Sequence, residues 1–166
     1  MKKFLFLVLI LVLFVGCDSK SQTGFKGVTA KKDYVSEGMK FLNEADIPRA
    51  IRSFDMAIKQ DPTNVDNYLV LGQVYMRLKQ YDRAVDTLSA ATRVSPENGE
   101  VYYLLATSKA LDGRMEGAIE SAQRSVEIYM QNRDEDRFKK AVVLLKSLSV
   151  PQDKPEIETQ EAQAAE

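Results

Sequence analysis

The sequence predicts an all-α solenoid of about three αα-hairpins, closed by a C-terminal capping helix. Three observations predict it. Residues 34 apart agree in column after column, with Tyr34, Tyr68 and Tyr102, then Gly38, Gly72 and Ala106, then Ala50, Ala84 and Ala118, then Ile51, Val85 and Ile119, which is how a stacked repeat shows itself. Within one period Tyr68, Leu71, Gly72 and Tyr75 stand at i, i+3, i+4 and i+7 and so share a helix face, and Ala84, Leu88 and Ala91 share a face on a second helix. Pro62 and Pro96 close the first two periods, because proline lacks the N–H that a continuing helix needs.

At the N-terminus, Met1, Lys2 and Lys3 make a short positive start, and Phe4 to Val15 is an unbroken run of twelve apolar residues. A helix of that length reaches about 18 Å, against roughly 30 Å of bilayer hydrocarbon. Residues 1–16 therefore read as a signal peptide and not as a membrane span. The segment Leu13-Phe14-Val15-Gly16-Cys17 resembles the bacterial lipobox, with Phe14 where that motif usually has leucine. The resemblance implies acylation of Cys17, by palmitate or a similar chain, and a lipoprotein of the bacterial cell envelope exposed outside the cytoplasm. Asp18 resembles the inner-membrane retention signal of enteric bacteria, a rule that varies between species, so inner and outer membrane both stay open. Residues 17–30 are polar, contain Gly24 and Gly27, and read as the lipidated cysteine and a flexible tether.

The domain proper is expected over 31–150, with helices at about 31–44, 47–60, 64–78, 81–94, 98–111 and 115–131. Asp46 before Ile47-Pro48, Thr63-Asn64 after Pro62, and Ser95 before Pro96 are the predicted caps. Gly38, Gly72 and Ala106 leave room for the helices that carry Ala50, Ala84 and Ala118, while Tyr34, Phe41, Phe54, Tyr68, Tyr75 and Leu88 fill the space beside them. The third unit departs from the pattern. Lys109 replaces the aromatic of Phe41 and Tyr75, Ala122 replaces Phe54 and Leu88, and Met130 replaces the proline, which predicts a longer second helix. Glu37 in the first unit stands where Leu71 and Leu105 stand in the others. Both departures read as capping of the terminal repeats. A last helix over 134–149 places Phe138, Ala141, Val142, Leu145 and Leu148 on one face, out of register with the repeat, to cover the third hairpin. Residues 151–166 hold five acidic residues and one lysine and read as an acidic, disordered tail.

The order of the columns is an aromatic, a small residue four later, an alanine twelve after that, another small residue seven on, and a closing proline. It resembles the tetratricopeptide repeat (TPR) over about residues 31–132. The resemblance implies a module that binds a protein or peptide partner in a concave groove lined by the first helix of each hairpin. Carried onto this sequence, the lining is Val35, Met39 and Leu42 in the first unit, Leu69, Gln73 and Met76 in the second, and Tyr103 and Thr107 in the third. Relatives that grip a terminal carboxylate use Lys and Asn where Val35 and Met39 stand here, and Lys where Glu100 stands. The resemblance therefore implies a partly apolar groove and not a carboxylate clamp.

Composition narrows the function further. The chain has no histidine, no tryptophan and a single cysteine, so the commonest general base and the commonest metal ligand are missing. No catalytic residue, metal or cofactor is expected, and no enzyme. Without Lys2 and Lys3 the balance is 21 basic to 24 acidic residues, which leaves no cationic surplus for nucleic acid. The carboxylates at Glu37 and Glu44, and at Asp134 to Asp136, read as a solvated face and a helix start. The expected function is a membrane-anchored adaptor or scaffold for protein–protein interaction in the bacterial envelope. The alternatives are a pilotin-like or envelope-assembly factor that acts by self-association as a homo-oligomer and, more remotely, a carboxylate-based cell-wall enzyme.

Overall fold

The structure, a computed structural model, describes residues 32–150; the expectations for the leader, Cys17, the tether and the acidic tail lie outside the described residues. Among the described residues there are seven helices: α1 (Tyr34–Asn43), α2 (Ile47–Gln60), α3 (Val65–Arg77), α4 (Tyr81–Val94), α5 (Gly99–Leu111), α6 (Met115–Gln131) and α7 (Glu135–Ser149). They pair in sequence as the hairpins α1–α2, α3–α4 and α5–α6, and α7 packs on α6.

The helix starts follow local capping chemistry. Asp33 accepts the Ser36 amide at 2.9 Å and its hydroxyl at 2.6 Å, so α1 begins at Tyr34, three residues later than its apolar pattern suggests. Asp46 accepts the Arg49 amide at 3.0 Å ahead of Pro48, as expected of an N-cap. Asn64 accepts from Asp66 at 3.0 Å. Ser95, by contrast, is the C-cap of α4, and α5 is capped by Asn98, which accepts the Glu100 and Val101 amides at 3.0 and 3.3 Å. Pro96 keeps the residue before it out of helical conformation and so ends α4 at Ser95; the chain then turns through Pro96 and Glu97, with the Asn98 amide on the Ser95 carbonyl at 3.2 Å, before α5 begins.

Each hairpin turns through three residues, with Ala45, Lys79 and Gly113 at φ of 58°, 57° and 80°. The following amide returns to the helix it has left: Asp46 to Phe41 at 2.8 Å, Gln80 to Tyr75 at 2.9 Å and Arg114 to Lys109 at 2.8 Å. This closure satisfies the last carbonyls of the helix.

Within a hairpin the small column receives a large side chain from the second helix. A Cβ on Gly38 would stand 2.7 Å from the Phe54 ring, and one on Gly72 would stand 2.8 Å from Leu88. The close approach is thus to Phe54 and Leu88, more specifically than to the alanine column that the sequence singled out. The third hairpin changes both sides of this contact, with Ala106 and Ala122 both fully buried. A methyl is added where a large side chain is lost.

The last helix reveals a register shift. Helix α6 has 17 residues where α2 and α4 have 14, as the missing proline predicts. Its extra turn contains Tyr129, which is 4% exposed. That ring lies where a Cβ on Gly99 would stand, 2.7 Å from it, and its hydroxyl donates to Glu100 at 3.1 Å. The chain then turns through Arg133 at φ 56°, with the Asp134 amide bonded to Tyr129 at 3.0 Å. This is the turn otherwise used inside a hairpin, one residue shorter than the links at 61–64 and 95–98. A helix longer by three and a link shorter by one start α7 two residues after the place that a period of 34 assigns. At a spacing of 36, Phe138, Ala141, Val142 and Leu145 coincide with Tyr102, Leu105, Ala106 and Lys109. Helix α7 is therefore both the expected cover of the third hairpin and the first helix of a further unit.

Candidate interaction groove

The side chains assigned to the groove occupy two kinds of environment. Met39 is 46% exposed and Gln73 is exposed, while Val35, Leu42, Leu69, Met76, Tyr103 and Thr107 are half-buried. Val35 and Leu42 pack against the core formed by Ala50, Phe54, Leu71 and Tyr75, and Leu69 and Tyr103 against the core of Val85, Leu88, Leu104 and Leu105. Met76 touches both cores, so part of its role is to join successive hairpins. The Thr107 hydroxyl donates to the Tyr103 carbonyl at 3.0 Å, which satisfies its donor within the helix. Met39 and Gln73 offer the freest surface, and the apolar side chains supply the floor.

First helices of successive units meet each other, α3 with α5 and α5 with α7. Between α5 and α7 lies a groove of about 410 Å³ lined by Tyr103, Lys139, Lys140, Val143, Leu144 and Ser147. Of the eight side chains expected from the sequence, Tyr103 alone lines it. The α7 contribution escaped sequence reading because a search at 34 residues passes over a helix displaced by two. The signal was present in the recurrence of Phe138, Ala141, Val142 and Leu145 at the spacing of 36.

Hydrogen bonding fixes the frame that carries this surface. The Asn67 amide group, 6% exposed, donates to the Ala57 and Asp61 carbonyls at 3.1 and 3.3 Å and ties α3 to the end of α2. In the third hairpin Lys109 extends to the Gly117 carbonyl at 3.2 Å and the Ser121 hydroxyl at 3.0 Å, which gives the departure from an aromatic a structural role. Burial first, and then Glu100, push the Tyr129 hydroxyl well above its ordinary pKa, so it remains a neutral donor. No described helix is long and apolar enough to cross a membrane.

Comparison with known proteins places this architecture. The tetratricopeptide repeat model matches residues 41–108. The chain is 30% identical over 104 residues to the small glutamine-rich tetratricopeptide repeat-containing protein 2 of Saccharomyces cerevisiae, covering 63% of this chain and 30% of that protein. It is 27% identical over 97 residues to the protein of the same name from Mycosarcoma maydis, covering 58% and 28%. The chain thus spans about three-tenths of the length of these curated relatives. Among solved structures, the TPR2B domain of yeast Sti1, in its complex with pHsp70, superposes with a TM-score of 0.63 at 17% identity, over 70% of this chain and 93% of that one. The type III secretion translocator chaperone SycD of Yersinia enterocolitica superposes with a TM-score of 0.63 at 13% identity, over 73% and 92%. Repeat period, hairpin packing, family match and superposition agree that the described helices form a tetratricopeptide-type solenoid.

Proposed function

We propose that this protein is an adaptor that binds a peptide or helical segment of another protein on the face formed by its first helices, and that an acyl group on Cys17 holds it at a membrane of the bacterial envelope. The observation that carries the binding half is a run of apolar side chains on successive first helices. Met39, Leu69, Met76 and Tyr103 lead to Val143 on α7, which is 67% exposed, and an apolar groove of this kind suits an amphipathic segment. The solved likenesses include complexes with pHsp70 and with the HSP90 peptide SRMEEVD, which support a peptide ligand as the class. An acidic peptide end such as that of SRMEEVD is not the expected ligand at the first helix, because Val35 and Met39 replace the polar grips. The anchor half is supported by the apolar run ending at Gly16-Cys17. More than one acyl chain gives stable membrane attachment.

Two measurements test these halves separately. Met39→Glu and Tyr103→Glu are expected to lower capture of the envelope partner by about tenfold or more, as loss of an apolar anchor does at a hot spot, with helicity unchanged. Undiminished capture by both variants removes the groove from the mechanism. Cys17→Ser is expected to move the protein from the membrane fraction to the soluble one. A variant that stays membrane-bound ends the anchor reading.

A further inference from the structure

The α5–α7 end of the groove has a chemistry of its own. Its floor is Val143, Leu144 and Tyr103, and Lys139 and Lys140 stand beside them. From Arg137 to Ser149 helix α7 carries four cationic residues and no carboxylate. Lys139 meets Glu135 at 3.8 Å, but the two side chains are 69% and 85% exposed, so solvent reduces the pair to little. Lys140 makes no ion pair among the described residues. Both lysines lie in the N-terminal half of α7, where the helix dipole gives cations no support.

An exposed aliphatic floor beside two ammonium groups fits an aliphatic side chain flanked by carboxylates. Such a triplet, Glu156-Ile157-Glu158, follows α7 in this chain, within residues 151–166 that hold five acidic residues and one lysine. Its reach is sufficient. Ile157 and Val143 are each seven residues from Val150; seven helical residues run back about 10 Å, and seven extended ones span up to about 24 Å. Attachment on a short tether also presents the triplet at an effective concentration in the millimolar range, so a contact too weak for a free peptide is populated within the chain.

We propose that residues 156–158 of this chain dock at the α5–α7 end of the groove. Ile157 lies against Tyr103, Val143 and Leu144, and Glu156 and Glu158 face Lys139 and Lys140, so the chain's own segment competes there with a partner. This rests on the reading of the first-helix face as a binding groove.

The test compares amide spectra of the isotope-labelled full chain with those of a chain ending at Val150. Removal of the segment is expected to shift the resonances of Tyr103, Lys139, Lys140, Val143 and Ser147 and to leave α1 to α4 in place. Ile157→Ser and Lys140→Glu in the full chain are expected to reproduce those shifts, and Lys140→Glu combined with Glu158→Lys to reverse them in part. A synthetic peptide of residues 151–166 added to the shortened chain is expected to restore them at millimolar concentration, and about tenfold less readily with Lys140→Glu. Spectra that coincide apart from the last turn of α7, or an Ile157→Ser full chain without shifts, overturn the proposal. Shifts that scale with protein concentration overturn it as well, because they assign the surface to a second copy. The groove reading stands or falls separately: docking of the segment with capture indifferent to Met39→Glu defeats that reading alone, and lost capture without docking defeats this one alone.

Discussion

Gly72 and Leu88 hold the closest approach in the second hairpin, and Ala106 with Ala122 shows another solution at the same place. Gly72→Ala is expected to cost about 1–3 kcal/mol by overpacking, and Leu88→Ala about 2–5 kcal/mol by leaving a cavity. The double variant recreates the pair of the third hairpin, so its cost is expected to fall below the sum of the two singles by roughly 1 kcal/mol or more. Strict additivity in denaturant unfolding would show that the two side chains do not share the space. Asp46 gives a prediction in pH. Hydrogen bonds from the amide and side chain of Arg49 hold its carboxyl below the ordinary 3.8, so the folded state releases that proton more readily than the unfolded one. Its stabilisation is present above 3.8 and is lost as pH falls through the lower folded value. The melting temperature of Asp46→Ala is therefore expected to lie below that of the parent at pH 6, and the two to converge in acid. A gap that persists at pH 2 would assign the effect to something other than ionisation.

Most of the elements were legible because two periodicities reinforce each other: 3.6 residues along each helix and 34 along the chain. Tyr68 to Tyr75 and Ala84 to Ala91 mark α3 and α4, and Asp46 and Asn64 mark helix starts. Ser95 misled as a cap because its chemistry suits the role, whereas it ends α4 and the turn through Pro96 and Glu97 passes the role to Asn98. The α7 part of the groove was hidden because insertion in α6 and deletion in the following link act together, and a fixed window cannot absorb both. The backbone turns were equally hidden, since Ala45, Lys79 and Arg133 adopt positive φ without a glycine to announce it. Those turns are testable: a left-handed residue other than glycine costs about 1 kcal/mol or more, and part of this is regained against the freer unfolded chain. Lys79→Gly is expected to stabilise by roughly 0.5 kcal/mol, read from the midpoint of urea unfolding. Destabilisation would mean that the lysine side chain contributes more than its backbone strain.

In the whole molecule each helix packs chiefly on its neighbours in sequence, so damage is expected to spread from one end. Ala141 is fully buried. Ala141→Asp places an unpartnered carboxylate there, at a cost of about 3–5 kcal/mol. Hydrogen exchange is expected to accelerate in α7 and then in α6, while α1 to α4 keep their protection. Uniform acceleration through α1 would show one cooperative unit instead of a nearest-neighbour array. The seven ion pairs among the described residues add little to this picture, since each includes a side chain at least half exposed.

Val142 occupies the place in α7 that belongs to Gly38, Gly72 and Ala106 in the hairpins. Those small residues are what admit Phe54 and Leu88 from the following helix at close range, and valine carries more side chain at that place. A hairpin partner for α7 would therefore need a smaller residue than Phe54 or Leu88 opposite Val142, or a wider separation of the two helices. Duplicating residues 65–98 in place, by contrast, inserts a unit whose close approach, Gly72 against Leu88, is already matched on both sides.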